Sequence, residues 1–85
     1  MTYIDFHTSG VKGLSEKQFK DAVKRIEPEF RARGVKPSEV LYNLSEGRSF
    51  CITEASSSAL IKEAHLRAGL PVDDILPVDK ISGAF

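Results

Sequence analysis

The chain has 85 residues, near the lower end of the range in which one hydrophobic core holds a domain without metals or disulfides, so one domain is expected and a second is excluded. Hydrophobic residues make up 41% and charged residues 28%, the mix of a globular protein rather than of a disordered or fibrous one. Twelve basic and twelve acidic residues cancel, which leaves no global field to steer the protein to nucleic acid or to an anionic membrane.

The alternation in Thr2 to His7 predicts a half-buried strand, with Ile4 and Phe6 on the core side and Tyr3, Asp5 and His7 on the other. After turn signals at Ser9-Gly10 and Gly13, Ser15 and Gln18 match a capping box, and Phe19, Ala22, Val23, Ile26 and Phe30 recur at helical spacing. Acid-first pairs Asp21–Arg25, Glu27–Arg31 and Glu29–Arg33 mark a solvated outer face. Pro28 removes the bond to the Lys24 carbonyl, so a kink or break is expected near Glu27, and Gly34 supplies a stop.

Val40 to Leu44, the turn Ser45-Glu46-Gly47-Arg48 and Ser49 to Glu54 read as a hairpin. Ser56, Ser57 and Ser58 offer N-caps to a second helix with the stripe Leu60, Ile61, Ala64 and Ala68, closed by Gly69. Ile75 to Ile81 forms a last strand, which Pro77 confines to a sheet edge. The order β-α-β-β-α-β is the ferredoxin-like α+β arrangement, a four-stranded antiparallel sheet with both helices on one face. Nothing in the chain covers the other face, so a homodimer through that open face is expected.

One cysteine, Cys51, cannot close an intrachain disulfide and fits a reducing compartment, so the cytoplasm is the expected location. Neither a basic, apolar leader at Met1 to His7 nor a run of about eighteen apolar residues is present, and no signal peptide or membrane span is expected. On the bare face, Tyr3, Asp5 and His7 of the first strand would lie beside Ser49, Cys51 and Thr53 of the third if Phe50 and Ile52 face the core. Imidazole, carboxylate and thiol in one concavity are the ligand types of nickel, zinc or copper, although no HxH, HxxxH or CxxC spacing occurs.

Each of these residues also has an ordinary reading. His7 can serve a polar cluster with Asp5 at a strand end, and Cys51 can be a small buried hydrophobe. A catalytic Cys–His pair would need an orienting third group, a role open to Asp5. His65 can flank the core beside Ile61, and it is placed on the side opposite the bare sheet face. Glu54 can cap, accept from a ligand or face solvent, whereas Tyr3, Tyr42 and Thr53 read as pocket-lining or rim residues.

Ser49-Phe50-Cys51-Ile52-Thr53-Glu54-Ala55, followed by Ile61 to Ile75, resembles the small nickel-binding, ferredoxin-like family of bacterial proteins, many described only as domains of unknown function. Ile4-Asp5-Phe6-His7 and Gly13-Leu14-Ser15 are similar to that family's first strand and to the start of its first helix, so the likeness covers nearly the whole chain. The resemblance implies a ferredoxin-like dimer with a site for Ni²⁺ or another divalent transition metal. His7 is its natural contributor, and Asp5, Cys51, Glu54 and His65 stand at matching positions. Some members carry further histidines where this chain has Thr8 and Leu70, so carboxylates, waters or a second subunit would complete the shell.

The leading expectation is therefore a dimeric, non-enzymatic metal-binding or sequestering protein. The alternatives are a small-molecule binder or enzyme of the dimeric α/β-barrel type, with Tyr3, Asp5, His7 and Cys51 lining a pocket between paired sheets, and a purely structural interaction module.

Overall fold

A computed structural model describes residues 1–84. Its elements are β1 (Thr2–His7), α1 (Glu16–Ala32), β2 (Lys36–Asn43), β3 (Arg48–Glu54), α2 (Ser58–Ala68) and β4 (Asp74–Val78). The strands form one antiparallel sheet in the order β2-β3-β1-β4, which is the ferredoxin-like arrangement. β1 is thus a central strand, and β4 with its Pro77 lies at an edge, where a missing N–H costs no ladder bond.

Local chemistry sets the helix ends. Ser15 accepts from the Gln18 backbone N–H, and the Gln18 side chain accepts from the Ser15 N–H, so the capping box is complete. Ser57 is the N-cap of α2 but makes no side-chain bond there. Gly69 closes α2 with φ of 71°, a left-handed conformation that a side chain would disfavour.

α1 runs without a break through Pro28, contrary to the expected interruption. Lys24 and Pro28 both face solvent, so water can satisfy the carbonyl that proline leaves unbonded. Glu27–Arg31 and Glu29–Arg33 pair as expected, but Asp21 pairs with Lys17 rather than Arg25. β2 begins at Lys36, four residues before the apolar run, and β4 stops at Val78, short of Lys80-Ile81.

The largest correction concerns the faces of the sheet. Tyr3 and Asp5 of β1, and Ser49 and Thr53 of β3, are the buried residues, so the set Tyr3, Asp5, His7, Ser49, Cys51 and Thr53 lies under the helices. Ile4, Phe6, Phe50 and Ile52 point to the open side, where the rings of Phe6 and Phe50 meet edge to face at 5.3 Å. Register adds Leu41 and Leu76, 50% and 46% exposed, to that open face. Alternation shows which residues share a face; it does not show which face the helices cover. Beneath the helices, Tyr3, Ile26, Phe30, Val35, Ala55, Ile61 and Ala64 form the core.

Candidate metal centre

Asp5 and His7 both project from the covered face of β1, and Cys51 stands directly across from Asp5 on β3. Above them, α2 presents Ile61, Ala64 and His65 as its buried stripe, so His65 is delivered into the same space. This overturns the placement of His65 on the far side of the sheet from Asp5 and His7. The His7 and His65 rings stack with centroids 5.0 Å apart, and Phe30 closes the His65 ring from its edge at 5.6 Å.

Both imidazoles are oriented by backbone carbonyls. His65 Nδ1 lies 2.7 Å from the Ile61 carbonyl and His7 Nδ1 lies 3.0 Å from the Pro71 carbonyl. A carbonyl can only accept, so each Nδ1 carries the proton and each Nε2 of the neutral ring offers a lone pair. Those two Nε2 atoms lie 3.2 Å (His7) and 3.5 Å (His65) from the same oxygen, Asp5 Oδ2. Three electron-pair donors therefore converge, all within 4.8 Å of one another.

Such a cluster needs a cation among its members, either a proton or a metal ion. Asp5 is fully buried, and its other oxygen, Oδ1, has no hydrogen-bond partner. A buried carboxylate left in this state costs several kcal/mol. Ligands held at about 2.1 Å from one ion sit roughly 3.0–3.4 Å apart for octahedral or tetrahedral angles, close to the two separations above. Imidazole rings tied at Nδ1 are also the usual outer-sphere arrangement of metal-binding histidines. The residues present thus fit a borderline divalent metal, which Asp5, His7 and His65 would hold.

Protonation follows the same geometry. Burial, the largest influence on His7, works against its charge, but the Asp5 hydrogen bond, the Pro71 carbonyl and the charges of Asp5 and Asp73 together raise its pKa above 6.5. For His65 burial prevails over the Ile61 carbonyl and Asp5, and the neighbouring His7 adds to the lowering. Cys51 Sγ lies 3.6 Å from His7 Nε2. Burial first, then the charge and hydrogen bond of Asp5, push its thiol up to about 12, so the metal-free protein keeps Cys51 as a thiol.

Asp73 fixes the loop beside the site. Its carboxylate accepts from the Thr8 backbone N–H, from Thr8 Oγ1 at 2.7 Å, and from the Ser9 hydroxyl and N–H at 2.9 and 3.2 Å. The Thr8 side chain and backbone, followed by Ser9, hold this carboxyl well below the usual carboxylate range. Its contribution to stability is therefore present above the ordinary value of 3.8 and is lost as pH falls toward the lower folded value. Between roughly pH 5 and roughly pH 2, unfolding followed by circular dichroism is expected to show wild type losing stability more steeply than Asp73→Asn. Equal slopes would count against this role for Asp73.

The other expected site residues lie elsewhere. Glu54 pairs with Thr2 at the far end of β1, about 17 Å along the strands from the His7 level, and it accepts from the Thr2 hydroxyl. Tyr42 stacks on Phe19 at 4.7 Å and donates to Glu16 at 2.7 Å. Tyr3 and Thr53 are buried under the helices and cannot line a pocket between paired open faces; Thr53 Oγ1 has no partner.

A family profile described as nickel responsive protein, SCO4226-like, matches residues 3–78. The chain belongs to the SCO4226-like family. Membership ties it to metal-related function in general. The crystal structure of SCO4226 from Streptomyces coelicolor A3(2) superposes with a TM-score of 0.87 at 22% identity, covering 96% of this chain and 100% of that one. At that identity the likeness establishes the shared fold. No curated protein matches the sequence. Among the described residues of this SCO4226-like chain, no helix is long and apolar enough to cross a membrane. Sequence reasoning missed the orienting carbonyls of Ile61 and Pro71. The available signal was His65 itself, which follows Ala64 and comes four residues after Ile61 on the buried stripe, and so needed a polar partner beneath the helix.

Proposed function

We propose that this chain binds nickel or a similar divalent transition metal, as a carrier or sequestering protein, through Asp5, His7 and His65, with Cys51 beside them. The supporting observation is the convergence of two carbonyl-oriented Nε2 lone pairs on one buried carboxylate oxygen. Membership in a nickel responsive family favours nickel among the borderline metals. A thiol as unacidic as Cys51 is a poor nucleophile, which argues for binding over catalysis at the Cys–His pair. As a free thiol it suits a reducing compartment such as the cytoplasm.

The test is calorimetric titration of metal-free protein with Ni²⁺, Zn²⁺ and Cu²⁺. Wild type is expected to bind one ion per chain, and His7→Ala and His65→Ala are each expected to weaken nickel binding by at least the roughly 10- to 100-fold that follows loss of an outer-sphere partner. No saturable binding by wild type would sink the proposal, as would wild-type affinity in both variants.

We also infer that two copies pair through the open sheet face. Ile4, Phe6, Leu41, Phe50, Ile52 and Leu76 give it an apolar centre of the kind a two-fold interface covers. The metal residues lie on the other side of the sheet, so each chain carries its own site under this reading.

A further inference from the structure

A cavity of about 740 Å³ opens between α1 and the β2–β3 half of the sheet. Its origin is local. Phe19 stacks on Tyr42 near the start of α1, and Ile26 and Phe30 pack into the core toward its end. Between these two anchors stand Ala22 and Val23 on the helix and Val40 on the strand, short side chains that leave the layers apart. His7, Ser49, Cys51 and His65 make the inner wall.

Volume sets the kind of occupant. Clefts for organic ligands run from about 300 to about 1,000 Å³, and water alone would need roughly 25 molecules of about 30 Å³ each to fill this one. Against Ala22, Val23, Ile26 and Val40 such waters find few partners, and an apolar group that displaces poorly ordered water gains affinity.

The charges that line the cleft belong to Asp21, Lys24, Arg25 and Glu27 of α1 and to Glu39 of β2, and all five residues are exposed, so they form its rim. Three carboxylates and two cations leave one excess negative charge. Asp21 and Glu27, however, pair with Lys17 and Arg31, and counting those partners turns the balance to one excess positive charge. A rim so mixed favours neither sign, and exposed charges are screened within about 8–10 Å. Farther in, the ring nitrogens of His7 and His65 point at the Pro71 and Ile61 carbonyls or at Asp5, which is fully buried and does not line the cleft. The polar atoms left for a ligand are the hydroxyl of Ser49, a residue 2% exposed, and the sulfur of Cys51. A hydroxyl and a sulfur do not offset the cost of drying a full charge.

We propose that this cleft binds a small uncharged molecule, largely apolar and with one hydroxyl or carbonyl group, its hydrocarbon along Ala22, Val23 and Val40 and its polar atom toward Ser49. Such binding needs no ion, because none of these contacts depends on what Asp5, His7 and His65 hold.

1-Octanol, octanoate and octylammonium share one chain and differ in head group. Each is titrated against N-phenyl-1-naphthylamine, an uncharged fluorescent probe, on metal-free wild type. The probe is expected to bind saturably, and octanol is expected to displace it at least about tenfold more tightly than either ion does. No saturable binding of probe or octanol would overturn the proposal, and so would equal displacement by all three. Ala22→Trp, which fills the cleft, is expected to lose both ligands, whereas Phe50→Glu on the open sheet face is expected to bind them as wild type does. The reverse pattern would move the apolar molecule to the open face and overturn the cleft as its site. If Ala22→Trp does not fold, methyl NMR of wild type with octanol takes its place, with shifts expected at Ala22, Val23 and Val40; shifts at Leu41 and Leu76 instead would overturn the proposal. Nickel titrations bear on the metal reading alone, so either reading can fail without the other.

Discussion

Asp5→Asn is expected to abolish most of the stabilisation that nickel confers while leaving the metal-free protein at least as stable as wild type. Without metal, and at a pH above the raised pKa of His7, Asp5 places an acceptor against two imidazole lone pairs, and Oδ1 has no hydrogen-bond partner. An asparagine amide brings two N–H donors to the same spot and carries no charge, so it relieves the crowding of acceptors. With metal the balance reverses, because the one anionic holder is gone. At nickel a hundredfold above the dissociation constant, ligand linkage stabilises wild type by about 2.7 kcal/mol, which for a domain of this size raises Tm by roughly 10–20 °C. An affinity loss of about 100-fold cuts this to roughly 0.4 kcal/mol, or about 2–3 °C. Thermal melts of both proteins with and without nickel decide the matter. A lower metal-free Tm for Asp5→Asn would show that the carboxylate is structural, and an undiminished nickel shift would show that it is no ligand.

Phe50→Glu is expected to turn a dimer into a monomer. Phe50 sits mid-strand on the open face, edge to face with Phe6 and paired in register with Leu41. Under the proposed pairing a carboxylate there is buried among Ile4, Phe6, Leu41 and Ile52. Burying it unpaired costs several kcal/mol, so the dissociation constant rises by about a thousandfold or more. Light scattering and sedimentation across a concentration series give the mass directly. Nickel binding is expected to survive in the monomer, since Phe50 and the metal residues project from opposite faces of β3 and β1. A wild-type protein that runs as a monomer at high concentration would refute the interface.

Much of the fold was legible because its signals are local. The capping box at Ser15 and Gln18, the glycine at 69 and the proline at 77 each act over a few residues, and each appears where its chemistry requires. The site was half legible for a reason that lies in β1. Its two faces are Ile4 with Phe6 and Tyr3 with Asp5 and His7, and hydropathy favours burying the first pair. The helices bury the second, with His65 of α2 completing a polar cluster there, and the apolar pair is left for the open face. No count along one strand carries that information, since it depends on which face α2 packs against. Pro28 misleads in a similar way: its cost depends on whether water can reach the Lys24 carbonyl, and Lys24 and Pro28 both lie on the exposed side of α1.

Asp5 and His7 come from the start of the chain and His65 from near its end, on a strand and on a helix that no short connection joins. Under the proposed reading an ion held by all three spans a stretch of about 60 residues and must lose a holder before α2 can lift from the sheet, so occupancy stabilises the closed state by linkage. The average fold need not move for this to matter. On that reading the ion is registered as a change in how often one helix opens, set by occupancy, and the β2 edge, which contributes no holder, is not coupled to it.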